Sequence, residues 1–156
     1  MDKPAAPPRT SKVPVYRCTL VREGTVDAEP YRTSASVAET ARKILDDYDR
    51  EVFLVLLLDA RNRLIGLNVA SVGTLTASLV HPREIFKPAI SASASAVIGV
   101  HNHPSGDTEP SREDRELTHR LREAGKILGI RFLDHVIVGG PGQHYSFADA
   151  GEFPPE

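Results

Sequence analysis

The chain has 156 residues, 40% of them hydrophobic and 26% charged, and a formal net charge of −2. That is room for one domain with a substantial core and hardly for two. The charge supplies no global drive toward nucleic acid or a membrane surface, and the single cysteine, Cys18, excludes an internal disulfide and a cysteine-based zinc knuckle.

Residues 1–12 are rich in proline and alanine and are expected to be disordered. Residues 13–150 are expected to form a single domain, and residues 151–156 a loose tail. The opening stretch has no apolar signal core, and no apolar run is long enough to span a bilayer, so the expected location is the cytosol and no membrane contact is expected.

In "VPVYRCTLV", Val13, Val15, Cys18 and Val21 alternate imperfectly and predict a strand. "SVAETARKILDDY" opens with Ser36 and Glu39 at capping-box spacing, and Val37, Ala41, Ile44 and Leu45 make one helical face. "EVFLVLLLD" is a continuous apolar run, which suits a strand buried on both faces. "ARNR" is its turn and "LIGLNVASVG" its hairpin partner.

Pro82 begins a helix over "PREIFKPAISASA", and Pro88 inside it predicts a kink or an early break. "SAVIGVH" is the next buried strand. Ser111 starts a long helix with Leu117, Leu121, Ala124 and Leu128 on one stripe and Gly129 as its stop. "IRFLDHVIVGG" and the short "HYSF" complete the strands. Strands and helices intermingle, which predicts an α/β domain: a mixed β-sheet flanked by helices.

Chemistry concentrates in "HNHPSGDTEPSRED", residues 101–114. Residues i and i+2 of a strand point to one face, so His101 and His103 project together if the strand persists through them. Two imidazoles on one face are half of a zinc site. Asp114 falls in the first turn of the next helix, where a short loop can return its carboxylate to the histidines. Asp107 and Glu109, in the turn itself, are alternative ligands. Two histidines and one carboxylate match a catalytic zinc site, which keeps its remaining position for water.

Glu51, at the mouth of a very apolar strand, is the candidate base. Ser111 is a candidate donor to an oxyanion and equally an ordinary helix N-cap. Asp134 and His135 read either as a supporting pair behind the histidines or as packed polar strand residues.

The combination Glu51 with His101-x-His103-x7-Ser111-x2-Asp114 resembles the JAMM (MPN-plus) metalloproteases. The longer text "HNHPSGDTEPSREDRELT", with "HPREIF" before it and "LDHVIVG" after it, resembles the RadC branch of that family, over about residues 36–148. The resemblance implies a cytidine-deaminase-like α/β fold and one zinc ion. It implies His101, His103 and Asp114 as ligands, Glu51 as general acid/base and Ser111 as oxyanion donor. The implied reaction is hydrolysis of a peptide or isopeptide bond in a protein or peptide substrate, a ubiquitin-like conjugate included.

Two departures matter. The eukaryotic deubiquitinating members carry Ser or Thr between the histidines, where this chain has Asn102. Full-length RadC proteins add an N-terminal helix-hairpin-helix region that these residues do not contain, so the expectation follows the motif rather than the DNA-repair association in the branch's name.

Other zinc hydrolases fit less well. A nucleoside deaminase needs His-x-Glu and Pro-Cys-x-x-Cys, a His-Glu-x-x-His helix is missing, and the metallo-β-lactamase pattern fails at Ser105. The competing readings are a nucleic-acid-associated accessory protein with a structural or vestigial zinc site and a partner-binding scaffold. Arg112, Arg115, Arg120, Arg122, Lys126 and Arg131 gather around the last long helix, but Glu113, Glu116 and Glu123 interleave with them. That is the pattern of a solvated face, and no strong nucleic-acid binding is expected.

Overall fold

The computed structural model describes residues 12–28, 30–73 and 80–153. Strand β1 (Val52–Leu58) is buried at every position because it has a neighbour on each edge and helices on both faces. It pairs antiparallel with β2 (Leu64–Val72) on one side and with β3 (Ala96–Asn102) on the other. β4 (Arg131–Val138) lies parallel to β3, and β5 (His144–Ser146) adds antiparallel at the edge, giving the order β2-β1-β3-β4-β5.

Period-two alternation sorts the strand residues between two cores. Leu54, Leu56 and Leu58 face helix α1 (Ser34–Leu45), where they meet Val37, Ala38, Ala41 and Leu45. Phe53, Val55 and Leu57 face helices α2 (Pro82–Ser91) and α3 (Arg112–Leu128), and pack with Ile85, Phe86, Leu117 and Leu121. Each such side chain contributes on the order of 1.5–3 kcal/mol when taken from water, so both helical layers are held mainly by these stripes. The result is the mixed α/β sheet that the sequence predicts.

Several local expectations are corrected. Residues 12–28 contain no strand; Val13, Val15 and Val21 are 76%, 97% and 81% exposed. Alternation stabilises a strand only where one face is covered and an edge is paired, and this segment pairs with none of the sheet's strands. Helix α1 starts three residues earlier than the Ser36–Glu39 capping box places it: Thr33 is the N-cap and Ser36 is its capping-box partner at N3.

Pro88 does not break α2, which continues to Ser91; the buried face of Ile85, Phe86, Pro88 and Ala89 offsets the missing hydrogen bond. Leu128 is 45% exposed, so the stripe of α3 ends before it. Gly125 is buried instead, where a Cβ would lie 2.5 Å from the Ile130 carbonyl oxygen. Gly129 does stop the helix, with φ 67°.

The tail expected to be loose is pinned as far as Phe153. Glu152 bonds Arg115 and Tyr145, and Phe153 stacks on Phe132 at 6.0 Å. The N-terminal stretch expected to be disordered lies, apart from Lys12, outside the described residues. No helix among the described residues is long and apolar enough to cross a membrane.

Candidate metal centre

The centre forms where β3 ends and α3 begins. The His103 backbone N–H bonds the Val138 carbonyl at 2.9 Å, so the chain stays extended through both histidines and they share a face. That face is the one covered by α3. His101 is fully buried there, with the Phe53 ring stacked on it at 5.9 Å and 9°.

The loop that follows is braced from two sides. Gly106 turns it with φ 85°, and its carbonyl accepts the Gly140 N–H at 3.1 Å. A Cβ on Gly139 would lie 2.4 Å from that same carbonyl oxygen, so the approach of the two loops requires glycine. Arg42 of α1 holds the second loop by donating to the carbonyls of Gly139, Gly140 and Gln143.

Ser111 then caps α3. Its Oγ accepts the Asp114 N–H at 3.1 Å, and its N–H and hydroxyl both donate to Asp114 Oδ2 at 2.8 Å. The capping box therefore aims the Asp114 carboxylate back over the helix start, toward the histidines.

His101 Nε2 lies 2.9 Å from His103 Nε2 and 3.2 Å from Asp114 Oδ1, and His103 Nε2 lies 3.5 Å from Asp114 Oδ2. The three side chains can offer ligand atoms that all lie within 4.8 Å of one another. A tetrahedral zinc with bonds of about 2.0–2.1 Å sets its ligand atoms about 3.3 Å apart. The donor set and its spacing fit that ion.

The alternatives in the turn are engaged elsewhere. Asp107 accepts the Glu109 N–H on its carboxylate and the His103 Nδ1–H on its main-chain carbonyl, at 2.8 Å, while Glu109 faces Arg115. With Nδ1 donating to Asp107, His103 turns a bare Nε2 toward the cluster.

The electrostatics divide the two rings. Burial pushes the His101 pKa down, whereas the Asp114 hydrogen bond raises that of His103 despite its burial. At Asp114 burial opposes ionisation, but interaction with the His101 and His103 rings and the hydrogen bond from the Ser111 backbone outweigh it and hold the carboxyl well below the usual range. Glu51 immediately precedes β1, two residues before Phe53, and its charge acts on both ring systems.

Three residues around the cluster stand outside the predicted site. Asn102 bonds the backbone on both sides of Glu51: its Oδ1 accepts the Val52 N–H at 2.7 Å and its Nδ2 donates to the Arg50 carbonyl at 3.0 Å. His135 contacts His101 Nδ1 at 2.8 Å, and Thr118 contacts His135 at 2.6 Å. Of the Asp134–His135 pair, only His135 stands behind the cluster. Asp134 accepts from Ser146, Ala148 and the His135 backbone, and burial raises its pKa. The "DH" dipeptide, Asp134–His135, is the only signal in the sequence for His135; nothing marks Thr118.

A mixed α/β sheet with a His-His-Asp cluster between a strand end and a helix start has the architecture of a JAB-type domain. The family model for the RadC-like JAB domain matches residues 31–152, and the chain belongs to that family. A UPF0758 protein from Trichlorobacter lovleyi is 51% identical over 123 residues, which cover 79% of this chain and 53% of that protein. Another from Rubrobacter xylanophilus is 54% identical over 124 residues, 77% of this chain and 55% of that protein. The chain thus spans about half the length of these relatives, and their names state no activity.

Proposed function

We propose that the chain is a zinc-dependent metallopeptidase or isopeptidase acting on a protein or peptide substrate. The observation that carries this reading is the convergence of His101, His103 and Asp114, with the Glu51 charge near enough to act on both histidine rings. His101 Nε2, His103 Nε2 and Asp114 Oδ1 would hold the ion, since Asp114 Oδ2 already accepts two hydrogen bonds from Ser111. Three protein ligands leave a position for substrate or water, whereas purely structural zinc sites are closed by four.

When bound, zinc would acidify a water molecule and polarise the scissile carbonyl. The rest falls to the chain's own side chains. Glu51 takes a proton from the attacking water at its carboxylate and returns it to the leaving amine. Ser111 can donate its hydroxyl hydrogen to the developing oxyanion only by turning it away from Asp114 Oδ2. Asp114 keeps the Ser111 backbone N–H when that happens, so the carboxylate stays in place.

The test is a cleavage screen with unfolded proteins and ubiquitin-like fusions, run with wild type, a zinc-stripped sample and Glu51→Gln. Cleavage that needs both zinc and Glu51 is expected. Cleavage of nothing, together with tight DNA binding at moderate salt, would transfer the reading to a nucleic-acid accessory protein.

A further inference from the structure

Behind the cluster runs a second line of polar contacts. His135, on β4, is fully buried, with Phe147 stacked on it at 5.0 Å and 7°. Its Nε2 lies 2.8 Å from His101 Nδ1, and its Nδ1 lies 2.6 Å from Thr118 Oγ1. Thr118 Oγ1 is in turn 2.7 Å from the main-chain carbonyl oxygen of Asp114.

Counting hydrogens gives this line a direction. A carbonyl only accepts, so the Thr118 hydroxyl donates to Asp114 O. The hydroxyl has no second hydrogen, so Thr118 Oγ1 accepts the His135 Nδ1–H. Neither ring nitrogen of His135 bonds a carboxylate, and an uncompensated buried charge is costly, so this ring is neutral. Its Nε2 is then bare and accepts the His101 Nδ1–H. In a neutral His101 ring that leaves Nε2 without a hydrogen, facing His103 and Asp114.

We propose that Thr118 and His135 are positioning residues that hold His101 in the Nδ1–H tautomer and so present its Nε2 lone pair to the cation. The consequence for the cation rests on the metal-centre reading; the tautomer does not. With the line reversed, Thr118 would donate to His135, the Asp114 carbonyl contact would lose its hydrogen, and His101 Nε2 would carry a proton where a ligand needs a lone pair. Asp114 therefore serves the cluster twice. Its carboxylate is a candidate ligand, and its main-chain carbonyl anchors the line that orients the neighbouring one.

The test uses the full chain as wild type, Thr118→Ser, Thr118→Val and His135→Phe. Long-range proton–nitrogen NMR spectra of the histidine side chains read the His101 tautomer without metal. Chelator competition reads zinc affinity, and thermal melting reads the fold. Wild type should show His101 protonated at Nδ1. Thr118→Ser keeps the hydroxyl and should keep both the tautomer and the affinity. Thr118→Val should melt cooperatively, lose the single tautomer and bind zinc about 10–100-fold more weakly, the usual cost of removing a hydrogen-bond partner behind a metal ligand. A wild-type His101 protonated at Nε2 overturns the proposal even if no variant folds. So does a folded Thr118→Val or His135→Phe protein with unchanged zinc affinity. A wild type with the Nδ1–H tautomer that takes up no zinc would refute the metal centre and leave the positioning line standing.

Discussion

The side-chain carbonyl of Asn102 accepts the backbone N–H of Val52 at 2.7 Å, while its amide donates to the Arg50 carbonyl at 3.0 Å. The residue between the two histidines thus extends the β1–β3 ladder by one rung, beyond the Phe53–His101 pair. It clamps the backbone on both sides of Glu51. Asn102→Ala should cost about 1–3 kcal/mol of stability, because it leaves a part-buried N–H without its partner. It should also lower the rate of any zinc-dependent cleavage while zinc affinity holds. Thermal unfolding with parallel zinc titration checks this; equal losses in rate and affinity would assign Asn102 to the metal cluster instead.

Glu51 is expected to move protons and not to bind zinc, since two histidines and Asp114 supply the usual three ligands. Glu51→Gln should keep the metal and the fold and lose on the order of 100-fold or more in rate. Metal analysis of the variant separates the roles: loss of zinc would make Glu51 a ligand.

Zinc binding should be sensitive to mild acid, through His103. In the metal-free protein the Asp114 hydrogen bond raises the His103 pKa above its ordinary value. Proton and cation compete for the same Nε2. A raised pKa means that the proton begins to win at a higher pH than it would at a free histidine. Affinity should therefore decline as pH falls from about 8 to about 6, with proton release on binding. Calorimetry in buffers of different ionisation enthalpy measures both. About one zinc per chain is expected, and His103→Ala should lose it without unfolding. A flat affinity over that range would remove His103 from the ligand set.

Gly99 carries part of the site's support. A Cβ there would lie 2.7 Å from the Phe53 ζ-carbon and 3.2 Å from that of Phe132. Phe53 is the ring stacked on His101, and it leans on His135 as well. Gly99→Ala should destabilise by about 1–3 kcal/mol through overpacking, and weaken zinc binding as Phe53 is displaced. Melting and chelator competition on one preparation test the coupling. A destabilised protein with unaltered zinc affinity would show that Phe53 does not set the position of His101.

DNA should bind weakly. The basic residues of α3 are largely matched: Arg112 with Glu116, Lys126 with Glu123, and Arg115 with Glu109 and Glu152. Titrating labelled single- and double-stranded DNA at about 150 mM salt, where the screening length is about 8 Å, should give only weak, steeply salt-dependent binding. Sub-micromolar binding under those conditions would contradict it.

Spacing along the chain paired the two histidines and left Asp114, Asp107 and Glu109 as alternatives for the third ligand; the family resemblance selected Asp114. His101 and His103 share a face because any extended chain alternates with period two. Ser111 and Asp114 find each other because a capping box joins residues three apart. The apolar runs likewise marked β1, β3 and β4, since a strand covered on both faces has few polar positions. Contacts distant in sequence decided the rest. His135 faces the same helical layer as Phe132 because the register slips between Val97 and Ile98, leaving Leu133 unpaired and reversing the alternation. Asn102 reads as a spacer until β1 lies beside it. Val13 to Val21 has the pattern of a strand and pairs with neither edge strand of the sheet. A local rule sets which way a side chain can point, but only the packed neighbour, tens of residues away, supplies the partner that gives that direction a consequence.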